Sequence, residues 1–444
     1  MLCIFLLRHD GNCITILPMT QEKNKLIPLL LISDAVSISS GLGRITRDLA
    51  TRIHQNLSDI YRVGTAGYGG ACSRHFAFPQ YRMEMHDWTI INLPEICADF
   101  FGDEEGIVFV IWDLSRVTWL AHPQMFEQLT DDSHSLKRWL LKQKFKKWIY
   151  PPLDSSGPHD KLTFPLGKAI LGFDRIITYT QFGEDLIRRT IGDKESDTRH
   201  LCNLPHGIDS SVFFETNRNL SRRLFFQHTK GETGKMMLGL TKIPDPIMDD
   251  EVLIGIVATN QPRKDWSLGI ETAALLAKDR KVRLWCHTDI LERNWSIPSL
   301  LADYGILYNA IISSEEITNA NMAHVYSACD LTLGIGLGEG MGYPIFESLF
   351  CGTPCIHGDS GGAPEYMAQR CQGQRVFDED EPLLVKPIAF RYEGSFSCLR
   401  PVFRAEDWAS KASAVIGKRM NHCGELDWDN LWPRWEAWFR EAVK

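Results

Sequence analysis

No run in this chain approaches the roughly 20 apolar residues that a helix needs to cross a bilayer. Cys3–Leu7 is apolar but too short for the core of a signal peptide, and no basic segment precedes it. A cytoplasmic protein is therefore expected. Positive charge is not in excess either. There are 48 Lys and Arg against 56 Asp and Glu, a net charge of −8. That balance gives no support for a nucleic-acid surface, which favours a basic stripe. No internal repeat and no low-complexity segment is visible. The 12 cysteines follow no disulfide framework and read as reduced, mostly buried thiols. Cys351, Cys355 and His357 lie close together but not at zinc-ribbon spacing, so no metal site is expected.

What is present describes an α/β protein. A chain of 444 residues is too long for one core and suits two domains of about 200 residues each. Ile27–Ile32 is a continuous apolar run, as in a strand buried on both faces of a parallel sheet. A glycine-bearing loop follows, then a helical pattern with Ile45, Leu49 and Ile53 on one face. Ile107–Ile111 and Phe173–Tyr179 read as further strands. A second series begins at Val252–Val257 and continues at Val282–Cys286 and Leu331–Ile335. Helical patterns separate them, around Ser267–Ala277 and Asn319–Ala328. This alternation argues for parallel sheets in both halves. The crossover is placed between Asp209 and the polar stretch Asn217–Asp250, which carries Pro244 and Pro246. The expected division is residues 1–215, 216–424 and a C-terminal helix over 425–444. Residues 1–24, with Met19 just ahead of the first strand, read as an extension.

The richest segment is Gly338–Ile356, GEGMGYPIFESLFCGTPCI. It reads as strand, glycine-rich turn, helix start and second turn. Free backbone N–H groups at such a helix mouth suit a phosphate. Glu339 falls in the turn, with Gly340, Met341 and Gly342 after it. Glu347 falls about one helical turn in and is expected on an exposed face. The two carboxylates suit sugar and ribose hydroxyls. Pro262–Trp266, PRKDW, follows the strand that opens the second half. Its adjacent Arg263 and Lys264 suit a diphosphate, one by its fork and the other as a point charge. Gly41, Gly43 and Arg44 form a third constellation, where glycines let a backbone approach a ligand and Arg44 neutralises phosphate. A dinucleotide fingerprint fails there, because Thr46 stands at the third glycine position.

The run Glu339, Gly340, Met341, Gly342, Tyr343, Pro344 through Glu347, then Gly352, Thr353, Pro354, Cys355, Ile356, resembles the E-x7-E signature of family-four retaining glycosyltransferases. That resemblance implies a GT-B fold, two facing Rossmann-like domains with the site in the cleft. It implies transfer of a sugar from a nucleotide-sugar, a UDP- or GDP-sugar, with retention at the anomeric carbon. No metal and no tightly bound cofactor is required. On this likeness Glu339, Lys264 and Asp113 are the catalytic candidates. Glu347, Arg263, Gly340, Met341, Gly342, Gly41, Gly43, Arg44 and His206 are the donor-side candidates. His206, in PHGID, resembles a hinge segment and reads as structural or cleft-lining. Asp113 stands beside Trp112, where many members carry a histidine. The family's last helix returns to the first domain, and the tryptophan-rich tail is expected to do the same.

Other readings keep the fold but change the reaction: a nucleotide-sugar epimerase, a phosphorylase, or a non-catalytic nucleotide-sugar-binding protein. The acceptor is left open among glycan, lipid-linked glycan, protein and modified nucleobase. Loops such as Thr65–Gln80 are expected to touch it. Lys137–Lys147, KRWLLKQKFKK, reads as a basic amphipathic helix, either solvated or in peripheral contact with a membrane. Asp378-Glu379-Asp380 mimics a D-x-D metal motif but lacks the strand context and reads as surface.

Overall fold

The structure, a computed structural model, describes residues 25–86, 89–123, 131–367, 383–393, 398–420 and 424–444, with backbone alone over 131–134. The acidic run 378–380 and the N-terminal extension lie outside these residues.

Two seven-stranded sheets face each other. The first runs, edge to edge, Gln80–Arg82, Tyr61–Tyr68, Ile27–Asp34, Ile107–Val110, Lys146–Ile149, Arg175–Thr178 and Cys202–Asn203. All its pairs are parallel. Ile27–Asp34 sits in its interior, third from one edge, where its apolar run is covered on both faces; Leu29 to Ile32 are fully buried. The second sheet runs Glu232–Thr233, Ala310–Ser313, Val282–His287, Val252–Val257, Leu331–Gly334, Cys355–Gly358 and Leu384–Val385. Only its first strand pairs antiparallel. Chain order reverses beside Ile27–Asp34 in the first sheet and beside Val252–Val257 in the second. In open α/β sheets, ligands bind at such switch points, outside the carboxyl ends of the strands.

The tail helix Trp428–Glu441 packs on the first sheet although it follows the second in sequence. Asp427 caps it. Tyr61 Oη donates to Phe439 O at 2.7 Å and Trp435 Nε1 to Pro205 O at 2.9 Å. The rings of Trp148 and Trp438 meet edge to face at 5.0 Å.

One stretch holds more order than its polarity suggests, and one expectation fails. Within Asn217–Asp250 the chain forms a helix, Arg218–Thr229. Its polar residues hid one buried edge: Phe225 packs on Trp285, and Arg222 pairs with Asp330 at 2.5 Å. Lys137–Lys147 is not one amphipathic helix. The helix ends at Leu140, and Lys146–Ile149 is a strand of the first sheet. The interleaved aromatics serve the core instead, Trp139 lying 6.1 Å from Phe145 and Phe145 6.2 Å from Phe101. Among the described residues no helix is long and apolar enough to cross a membrane.

Candidate donor site and cleft

The strand Leu331–Gly334 leads into the turn that carries Glu339, and the helix Tyr343–Phe350 leaves it. Gly342 is the residue before that helix, at φ +85°, a conformation glycine adopts without strain. Among the described residues no protein group accepts from the amides of Met341 and Gly342. They stand at the positive end of the helix, where an anion is stabilised. Glu339 folds back towards Gly336, where a Cβ would come 2.1 Å from its carboxylate. Its own carbonyl accepts from Gly362 N at 2.8 Å, which pins the turn from behind.

Lys264 and Arg263 reach the same carboxylate from a loop alongside. Asp265 N donates to Ile335 O and Leu337 N to Arg263 O, both at 2.9 Å, so the PRKDW segment lies against the approach to the turn. Lys264 Nζ bonds Glu339 Oε1, and Arg263 donates to Oε2 at 3.2 Å. Burial alone would resist ionisation of Glu339. The two cations outweigh it and hold the carboxyl down at about 2. Burial and the neighbouring Arg263 in turn lower the Lys264 ammonium.

The first domain closes over this turn. Asp154 lies 3.9 Å from Arg263 and 3.3 Å from Arg400. Arg400, almost fully buried, also binds Glu393 at 2.9 Å and Ser155 Oγ at 3.2 Å. Charges therefore alternate from Glu393 through Arg400, Asp154, Arg263 and Glu339 to Lys264. A Cβ on Gly338, at φ +129°, would come 2.2 Å from Asp154 O. Ser39 Oγ bonds Glu316 on another side of the cleft.

Glu347 is not on an exposed face; only 8% of the residue is exposed. Its Oε1 accepts from Arg44 and its Oε2 from Tyr326 Oη at 2.9 Å. The helix that carries it is wedged between the sheet and the first domain, which periodicity cannot reveal. Arg44 is buried as well, with its guanidinium 4.2 Å from the Tyr343 ring centre and 4.8 Å from that of Phe213. It thus meets a carboxylate of the opposite domain. Gly43 serves packing, since a Cβ there would come 2.6 Å from Ala35 O. Gly41 opens the helix and faces the Tyr343 ring.

His206 is buried at the domain junction. Tyr150 Oη lies 3.2 Å from its Nδ1, and the rings of Tyr179 and Tyr343 stand 4.7 and 5.0 Å away. Burial, reinforced by Arg44, pushes its pKa down to about 3, so the imidazole is neutral. Asp113 lies on the rim of the cleft, its side chain 41% exposed and 3.3 Å from Arg116. Its surroundings still raise its pKa: withdrawal from bulk water is the main cause, and Asp154 and Asp34 add to it against Arg116 and Arg263.

The tertiary structure adds Asp154, Tyr179, Arg400 and His357 to these candidates. His357 Nδ1 meets Gly334 O at 2.5 Å, and its Nε2 is buried with no partner among the described residues. The Pro-Pro-Leu-Asp run after a strand was the one available signal for Asp154.

No protein-family model matches the chain, and no curated protein matches it by sequence. Solved structures do match in shape. HepE of Anabaena, in complex with UDP and glucose, superposes with a TM-score of 0.57 at 11% identity, over 94% of this chain and 100% of that one. Sucrose-phosphate synthase from Thermosynechococcus elongatus gives 0.58 at 14% identity, over 94% and 99%. A glycosyltransferase from Rickettsia africae gives 0.59 at 13% identity, over 95% and 99%. These likenesses establish the fold, two facing Rossmann-like domains in the GT-B arrangement.

Proposed function

We propose that this protein is a retaining glycosyltransferase that takes a sugar from a UDP- or GDP-sugar. The observation that carries the proposal is the cage around Glu339. Two cations and an open helix mouth converge on one carboxylate at the switch point of the second sheet. The donor diphosphate lies over the amides of Met341 and Gly342, with Lys264 and Arg263 on its oxygens. Charge develops there as the diphosphate departs, and fixed positive groups lower that barrier. Glu339 gives up part of its hold on the two cations and accepts from a hydroxyl of the transferred sugar. The ribose binds at Glu347, where it replaces Arg44 as the partner of Oε1. The acceptor's proton goes to the departing phosphate oxygen, so no side-chain base is needed. Residues 1–215 form the acceptor-side domain, residues 216–424 the donor domain, and the tail helix fastens onto the first. Closure of the two domains excludes water and limits donor hydrolysis.

Thermal unfolding with nucleoside diphosphates and their sugars, with and without EDTA, tests this reading. A ligand at 100 times its Kd adds about 2.7 kcal/mol of stability. Stabilisation by one nucleotide family, insensitive to EDTA, is expected. Stabilisation by none of them would sink it.

A further inference from the structure

We propose that the protein rests closed, clasped by its own side chains across the cleft, and that the nucleotide-sugar enters only when these clasps open. The inference rests on the glycosyltransferase reading and adds the regulation of that same site.

The contacts between the domains come from segments that follow the carboxyl ends of strands. After Ile27–Asp34, Ser39 Oγ bonds the Glu316 carboxylate and Arg44 bonds Glu347. After Lys146–Ile149, Asp154 lies 3.3 Å from Arg400, and Ser156 O accepts from Leu399 N at 2.8 Å. After Arg175–Thr178, the helix Gln181–Ile191 offers its first amides to the opposite domain. Glu365 Oε2 accepts from Gln181 N at 2.7 Å and from Phe182 N at 3.3 Å. Its charge sits at the positive end of that helix, the favourable end for a carboxylate. Beside it, Tyr366 Oη donates to Tyr179 O at 2.8 Å.

The backbones meet as closely as the side chains. A Cβ on Gly361 would come 2.8 Å from Asp154 O, and one on Gly362 would come 2.7 Å from Thr180 Oγ1. Real side chains do not approach that closely, so this seam admits only glycine. It lies directly against the donor turn, since Gly361 bridges to Glu339.

The closed arrangement and the donor compete for the same groups. Both oxygens of Glu347, the carboxylate assigned to the ribose, are taken, one by Arg44 and the other by Tyr326. Arg44 is buried against the rings of Tyr343 and Phe213, so parting the domains is what frees Glu347. The resting chain thus holds its own cation where the ribose binds. Donor admission is then limited by the rate of opening, and the apparent affinity is reduced by the fraction of molecules that are open.

Small-angle scattering of the full chain should give the same radius of gyration with and without UDP or GDP, whichever stabilises it. Stopped-flow tryptophan fluorescence should show a nucleotide association rate that levels off as concentration rises, because opening becomes limiting. The double variant Ser39→Ala, Glu365→Ala removes two clasps and leaves Glu339, Glu347 and Lys264 in place. Its radius without nucleotide should exceed that of the wild type. Its limiting rate should rise about tenfold, the weight of one charge-assisted bond. A wild type that contracts on binding nucleotide overturns the inference. So does an association rate that climbs linearly without levelling, or a double variant with the radius and rate of the wild type. The wild-type measurements stand whether or not the variant folds. If no nucleotide binds, the glycosyltransferase reading fails, and scattering from the two unliganded chains still decides the clasps.

Discussion

Replacing Glu339 by Gln keeps the size of the side chain and removes its charge. Lys264 loses its bonded carboxylate, and Arg263 keeps its contacts to Gly338 O at 3.3 Å and to Asp154 at 3.9 Å. A carboxyl held at about 2 instead of its ordinary 4.5 contributes about 3 kcal/mol to folding at neutral pH. The Glu339 side chain is only 12% exposed, so screening by solvent takes little from that figure. The sign is that of a depressed acid. Its contribution is complete above about pH 4.5 and disappears as pH falls through about 2. Glu339→Gln should therefore lower the melting temperature at pH 7 by roughly 5–10 °C for a domain of this size. The ligand response runs the other way. In the variant the two cations lack their carboxylate, so UDP or GDP, whichever stabilises the wild type, should raise the melting temperature more in the variant, while transfer is lost. Differential scanning fluorimetry with and without the nucleotide measures both effects. A change below 1 °C without ligand, or a smaller nucleotide response than in the wild type, would refute the argued role of the cage.

Arg44→Met removes a buried cation from Glu347 and from two aromatic rings. Urea unfolding should show a loss of about 3–5 kcal/mol, the usual cost of breaking a buried pair, and a loss under 1 kcal/mol would mean the pair is not formed. His206 is held neutral with a pKa of about 3, so the unfolded chain binds the extra proton below pH 6.5 and stability falls with falling pH. His206→Gln should flatten the stability profile between pH 6 and 4 by about 1.4 kcal/mol per pH unit, and parallel profiles would contradict the buried neutral imidazole.

The local order was written in the sequence. Apolar runs such as Ile27–Ile32 announced strands covered on both faces, and GEGMGYP announced a turn into a helix, because backbone preferences act over a few residues. So did the nearness of two carboxylates and two cations to strand ends. The helix Arg218–Thr229 escaped because its buried face is narrow, Phe225 and Arg222 among polar neighbours, and periodicity needs a wider stripe. What only the tertiary structure decided is which charges meet. Lys264 and Glu339 are 75 residues apart, and Arg44 and Glu347 are 303 apart. No spacing rule reaches that far, since such pairings depend on how two sheets stack and how a loop lies beside another. The same holds for burial. Glu347 belongs by helical position to an exposed face, but it is covered because a second domain stands against it, and a contact between domains leaves no periodic trace in the chain.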